Sequence, residues 1–310
     1  VDIVYFGSSK FSLVILENLC LKQFNPKLVV SVPDKPKGRG LKAQPTEISL
    51  FAKNTNLPLI TPQSLKADET KERLLGLSPD LFIIADYGKI LPATLLEIPK
   101  IASIGVHPSM LPLYRGPAPI NWALLKGDKE TGVTIFKMDE GLDTGGIILQ
   151  KTIAISDNDN AYTLHEKLAY EGAKLLIESL NLLKKGTFKV TAQDEAFSSF
   201  ASKFRKEDGR INWGQTATDI RNKIRAMSGW PSAYTFYKGK IIKITEAEAL
   251  PAPGSSAPSS IETIKKDGVY VSTGNGILKI KRLKPEGKCE MDAYSFVLGH
   301  GLKTGDKFDL

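Results

Sequence analysis

Apolar residues follow two different rhythms along the chain. In the first half, short unbroken apolar runs alternate with longer stretches of helical period. The run VDIVYFG ends at Gly7, and KLVVSV, LFIIAD, IGVHPS and GVTIFKM repeat the pattern downstream. Continuous runs of this kind fit strands covered on both faces. Residues 11–21 place Leu13, Leu16 and Leu19 on one helical face, and TEISLFAKNT reads as a second helix. A long helix fits residues 162–185 and stops at Gly186. Strand, helix, strand at this pace predicts an α/β fold with a Rossmann-like open parallel sheet. Ligands bind such sheets at the carboxyl ends of the strands. The tails YFGSSK, SVPDKPKGRG, ADYGKILP and VHPSMLP are therefore the places to look for chemistry.

The last hundred residues change rhythm. AYTFYKGKIIKITEAEAL, GVYVSTGNGILKIKRLKPEGK and GDKFDL alternate over short spans with turn residues between them. One helical run, TATDIRNKIRAM, precedes them, and LPAPGSSAPSS reads as a loop. A small OB-like β-barrel fits this pattern best. The expected division is a catalytic domain over residues 1–187, a linker over 188–206 and a C-terminal β-barrel over 207–310.

Composition adds little until its distribution is considered. The 310 residues carry a net charge of +8, which suits a polyanionic partner without requiring one. No apolar run approaches the roughly 20 residues that span a bilayer, and the opening residues do not read as a secretory signal. Cys20 and Cys289 lack a metal-type or redox-type spacing, so a cytoplasmic location with reduced thiols is expected. The positive charge is concentrated in two places. Lys35, Lys37, Arg39 and Lys42 occupy one loop after the second strand, and Lys281, Arg282 and Lys284 form a second patch near the C-terminus. Together they could follow a phosphate backbone.

His107 follows a strand and precedes Pro108, which holds its backbone extended. A long irregular loop, PSMLPLYRGPAPI, comes next. Asp143 lies in EGLDTGG, where flanking glycines allow close approach to a ligand. A carboxylate beside a histidine orients the ring and supports acid–base work near neutral pH. Competing chemistries lose support. Ser109 lacks the nucleophile elbow, FGSSKF lacks three spaced glycines, and no metal-ligand spacing occurs.

These residues carry a resemblance over essentially the whole chain. PDKPKGRG, ADYGKILP, HPSMLPLYRGPAPI, GDKETGVTIFKMDEGLDTG and KEDGRINW, in this order, resemble the family of methionyl-tRNA formyltransferases. The middle block alone marks the wider folate-dependent formyltransferase superfamily. The resemblance implies formyl transfer from 10-formyltetrahydrofolate to the α-amine of methionyl initiator tRNA, with no metal, by a monomer. It implies that His107 stabilises the oxyanion and that Asp143 positions His107 and helps remove the amine proton. The folate pocket would be lined by Asp86, Tyr87, Gly88, Lys89, Ile90, Leu91 and Pro92, by Ser109, Met110, Leu111 and Pro112, and by Gly141 and Leu142. Lys35, Lys37, Arg39, Lys42 and Lys206 would meet the tRNA, with Lys281, Arg282 and Lys284 as the second patch.

One position departs from the family. Its usual motif is Asn-x-His, whereas here Gly105 precedes Val106 and His107. Positions 105 and 107 of a strand face the same side, so an amide donor is missing beside His107. Water or a neighbouring group could replace it. The departure leaves open sugar-nucleotide formylation, 10-formyltetrahydrofolate hydrolysis, and a tRNA-binding protein whose catalytic centre has decayed.

Overall fold

The computed structural model describes residues 1–37, 42–252 and 254–309. They form two compact units. The first comprises Val1–Pro119, Glu130–Ala154 and His165–Ala201, and the second Ile120–Lys129, Ile155–Leu164 and Ser202–Leu310.

The elements of the first stretch are β1 (Ile3–Gly7), α1 (Lys10–Leu21), β2 (Leu28–Val30), β3 (Lys35–Lys37), β4 (Lys42–Gln44), α2 (Glu47–Asn54), β5 (Leu59–Ile60), α3 (Asp68–Gly76), β6 (Leu81–Ala85), α4 (Ala93–Leu96) and β7 (Ala102–His107). They are followed by α5 (Pro119–Lys126), β8 (Glu130–Lys137), β9 (Ile147–Ala154) and α6 (Ala161–Lys184). Seven of these strands make one sheet in the order β5-β2-β1-β6-β7-β8-β9, and β3 and β4 form a separate hairpin.

Strands β1, β6 and β7 are buried along their whole length, as their unbroken apolar runs require. Helix α1 starts at a capping box, in which the Ser9 side chain accepts from the Ser12 N–H and the Ser12 hydroxyl caps the other way. Leu16 and Leu19 are buried as the periodicity predicts, while Leu13 is half-buried. From β5 through β7 the pairing is parallel. The expected all-parallel sheet is corrected at one edge, where β8 and β9 run antiparallel. The nine residues between those two strands are too few for a parallel crossover, so they pair as a hairpin. Chain order reverses between β1 and β6, which makes the carboxyl ends of β1, β6 and β7 the natural crevice of this unit. Gly7, Ala85 and His107 end those three strands.

The second unit is built on α7 (Ala217–Ala226), β10 (Tyr234–Tyr237), β11 (Lys240–Leu250), β12 (Ile261–Lys265), β13 (Gly268–Ser272), β14 (Ile277–Pro285), β15 (Met291–Asp292) and α8 (Ala293–His300). Its sheet runs β10-β11-β14-β13-β12, with antiparallel pairing throughout. Bridges from Lys307 to Ser260 and from Asp309 to Phe236 connect the two edges, so the C-terminal residues close the sheet on itself. Trp213 of the KEDGRINW motif is buried in this core. Its indole N–H donates to Thr235 Oγ1 at 3.0 Å, and its ring stacks on Phe308.

The Pro/Ser-rich loop of this unit is pinned by one carboxylate. Glu262 accepts from Ser255 Oγ at 2.6 Å, from the Ser256 N–H at 2.7 Å, and from Ser272 Oγ. These hydrogen bonds, that of Ser255 foremost, pull the Glu262 carboxyl down to about 2. A depressed carboxyl contributes stability that is present above the ordinary value of 4.5 and is lost as pH falls towards about 2. Glu262→Ala should therefore melt below the wild type at neutral pH, and the gap should close between about pH 4.5 and pH 2. Thermal melts of both proteins across that range check this. A gap independent of pH would remove Glu262 ionisation as its source.

Candidate active site

His107 ends β7, and its neighbours come from the loop that follows. His107 Nε2 lies 2.9 Å from the Tyr114 carbonyl oxygen. A carbonyl can only accept, so Nε2 carries hydrogen and donates. The other nitrogen, Nδ1, then faces Asp143, with Oδ2 at 3.6 Å. That spacing exceeds a direct hydrogen bond. It still lets a proton on Nδ1 feel the carboxylate, and it leaves both groups able to reach a third atom. Asp143 Oδ2 accepts the Gly116 N–H at 2.8 Å, which aims the carboxylate towards His107. Both Tyr114 (φ 59°) and Asp143 (φ 57°) hold left-handed backbone conformations. Residues without a glycine's freedom stay there only when their surroundings fix them.

The surroundings are specific. At Gly145, a Cβ would run into the Lys137 carbonyl oxygen, so only glycine lets the loop after Asp143 lie against β8. The Ser109–Pro112 segment is held from beneath by Thr134. Its Oγ1 donates to the Ser109 carbonyl at 2.7 Å and accepts the Leu111 N–H at 3.1 Å. Gln150 Nε2 adds a bond to the Leu111 carbonyl at 2.6 Å.

The space beside Gly105 is filled. Gly105 pairs with Phe136 and His107 with Thr134, so all four positions share one face of the sheet. A Cβ built on Gly105 would sit 2.5 Å from Phe136 Cζ and closer still to Cε1. Phe136 is buried, and its ring covers the glycine where an amide side chain would stand.

The expected folate-binding residues divide into three groups. Tyr87 turns into the core, its ring edge-on to Phe6 at 5.5 Å, and burial pushes its hydroxyl up to about 12. Leu91 and Leu111 are also buried, whereas Asp86, Gly88, Ile90, Gly141 and Leu142 are exposed. Lys89 donates to the Pro62 and Gln63 carbonyls, and Pro92 precedes α4. Ser109 donates to the Leu113 carbonyl, and Met110 packs against β8 at Gly132. A cavity of about 410 Å³ opens between these loops, with Leu96, Glu97, Ser103, Lys137, Met138 and Glu140 among its walls. It begins where the ADYGKILP tail ends and where the loop to Gly141 starts. No local pattern of residues signals it, because its walls come from three separate segments.

The expected nucleic-acid contacts are also spread out. Lys35, Lys37 and Lys42 lie on the backbone of the β3–β4 hairpin, and Arg39 lies outside the described residues. Lys206 is exposed on a 3-10 turn. In the second unit, Lys281 lies 3.3 Å from Glu248, and Arg282 lies 3.1 Å from Glu290, so glutamates offset part of that patch. Lys284 is exposed. Among the described residues no group of His, Cys, Asp and Glu could hold a metal ion, and no helix is long and apolar enough to cross a membrane.

Two family models match the chain: formyl transferase over residues 2–180, and the formyl transferase C-terminal domain over residues 203–301. The methionyl-tRNA formyltransferase of Thermodesulfovibrio yellowstonii is 44% identical over 98% of this chain and 97% of its own length. That of Caldanaerobacter subterraneus is 40% identical over 98% of each. Among solved structures, an N-formyltransferase of Helicobacter canadensis, in complex with folinic acid and dTDP-3-aminofucose, shares the fold. Its TM-score is 0.68 at 22% identity, covering 90% of this chain and 99% of that one. HypX of Aquifex aeolicus with tetrahydrofolic acid matches with a TM-score of 0.63 at 18% identity, over all of this chain and 50% of the other.

Proposed function

The chain belongs to the formyl transferase family, and on that footing we propose that it transfers a formyl group from 10-formyltetrahydrofolate to the α-amino group of methionyl initiator tRNA. Full-length similarity to enzymes of that name supports the acceptor. The observation that carries the chemistry is the His107–Asp143 pair at the end of β7.

The methionyl nitrogen attacks the formyl carbon, and negative charge gathers on the formyl oxygen. His107 with a proton on each ring nitrogen donates Nε2–H to the Tyr114 carbonyl and presents Nδ1–H to that oxygen. Asp143 takes the proton that the amine loses as the new C–N bond forms. The bond to N10 of the folate then breaks, and N10 leaves with the proton that Asp143 received from the amine, which returns Asp143 to its carboxylate form. The 410 Å³ cavity is of a size for the donor's bicyclic ring, with apolar walls at Leu96 and Met138. Folate-type ligands named with two proteins of this fold support a folate donor. Ser109–Pro112 and the exposed tips at Ile90 and Leu142 would border the donor's tail. The hairpin bearing Lys35, Lys37 and Lys42, with Arg39 and Lys206, would meet the acceptor stem. Lys281, Arg282 and Lys284 would add a salt-sensitive contact. The reaction would take place in the cytoplasm without a metal.

The test offers radiolabelled formyl donor to the purified protein with charged initiator tRNA, with dTDP-aminosugar, or with no acceptor. Labelled formyl-methionyl-tRNA is the expected product. Formyl-sugar, or formate released at the same rate without acceptor, would overturn this reading in favour of another branch. No product at micromolar enzyme would point to a decayed site.

A further inference from the structure

We propose that Gln193 and Arg115 are positioning residues for the transfer step, holding Asp143 through its backbone and His107 through Tyr114. Arg115 is 2% exposed. Its Nε and Nη2 both donate to Gln193 Oε1, at 3.1 and 2.8 Å, and its Nη1 and Nη2 form a two-point pair with Glu195 at 2.8 and 2.7 Å. The Glu195 hydrogen bonds raise Arg115 further above its ordinary value and lower Glu195.

With Oε1 taken by two guanidinium N–H groups, the Gln193 amide has one permitted orientation. Its Nε2 must donate away from Arg115. It does so to the Asp143 carbonyl at 2.8 Å and to the Gly145 carbonyl at 2.7 Å. The first carbonyl belongs to the residue that holds a left-handed φ and supplies the carboxylate, and the second lies two residues further along the same loop. The backbone of Arg115 reaches the other half of the pair. Its N–H donates to the Ser199 carbonyl at 2.8 Å, and its carbonyl accepts from the Ala201 N–H at 2.7 Å. The Tyr114 N–H donates to Ser199 Oγ at 2.9 Å. Residues 191–201 thus form a strap that grips the Tyr114–Gly116 loop and the Asp143 loop together. Thr191 adds a two-bond bridge to Ile147 at the foot of β9.

Gln193→Glu tests the clamp without dismantling it. A glutamate keeps the pairing with Arg115, as an ion pair, but turns an acceptor towards two carbonyls. Gln193→Met removes the donor without adding repulsion. The kinetic readout rests on the transfer reading above. With charged initiator tRNA, kcat should fall about 10-fold for Gln193→Met and about 100-fold for Gln193→Glu, within the range for displaced catalytic groups. KM for both substrates should stay within about threefold. A merely structural role for the strap predicts the opposite order, since Gln193→Glu keeps the link to Arg115.

A second readout is independent of activity. In ¹⁵N-histidine spectra, His107 (assigned with a His107→Asn sample) should show a hydrogen-bonded Nε2–H in the wild type and shifted, broadened imidazole nitrogens in Gln193→Glu. An unchanged His107 spectrum together with kcat within twofold of wild type would overturn the clamp. If the wild type formylates no tRNA, the transfer reading fails, and the His107 spectrum alone still decides the clamp.

Discussion

Replacing His107 with alanine should lower kcat/KM for formylation of charged initiator tRNA by about 10²- to 10⁴-fold, the range for losing an acid–base group that also holds developing charge. The imidazole cannot be replaced by a neighbour. Its Nε2 is committed to the Tyr114 carbonyl, and only its Nδ1 edge faces Asp143. Asp143→Asn separates geometry from charge. An asparagine oxygen can still accept the Gly116 N–H that aims the side chain, yet it cannot take the amine proton. A loss approaching that of His107→Ala, with tRNA and folate affinities within a few-fold of wild type, is the expected outcome. Steady-state kinetics with separate binding titrations measure it. Activity within tenfold of wild type in His107→Ala would place the chemistry elsewhere.

Gly105→Asn should weaken the protein rather than improve the enzyme. From sequence alone the substitution restores a family donor, and a gain in turnover would be reasonable. Phe136 reverses that expectation, because its ring stands where the new Cβ must go. Overpacking a buried site costs about 1–3 kcal/mol, which in a unit of this size lowers Tm by roughly 2–4 °C per kcal/mol. Displacing the ring would also disturb β8 at the residue next but one to Thr134, which holds the Ser109–Pro112 segment. Phe136→Met should relieve the clash, since an unbranched side chain can bend away from an incoming amide. The two changes should be strongly non-additive, with the double variant exceeding Gly105→Asn in both melting temperature and kcat by more than the sum of single effects predicts. A single Gly105→Asn variant with raised kcat and unchanged Tm would show that the ring yields freely.

What the chain discloses before folding depends on distance along it. Strand tails are local, so His107, Asp143 and the loops around them could be found from apolar runs that end in polar or glycine residues. The C-terminal unit was legible as short strands for the same reason. Pairing is not local. Phe136 becomes relevant to Gly105 only once β7 and β8 are known to lie side by side in that register. The antiparallel edge strands and the cavity walls are hidden in the same way. Arg115 sits within a motif noticed for its prolines and glycines, but nothing nearby says that its partners are 78 and 80 residues away. Lys281 and Arg282 read as an open basic patch until their cross-strand and turn partners, Glu248 and Glu290, come into place. Gln193 has no sequence signal, since a lone glutamine in a stretch without core periodicity looks like solvent-facing chain.

The strap also changes where this chain can be divided. The two family matches end at residue 180 and resume at residue 203, and a designer grafting a foreign tRNA-binding module would be drawn to cut in that gap, at Gly186. A cut there would send Thr191, Gln193, Glu195 and Ser199 away with the discarded half. The loops bearing Tyr114 and Asp143 would keep their sequence and lose their anchorage. A piece carried through Ala201 keeps the strap together with the loops it anchors.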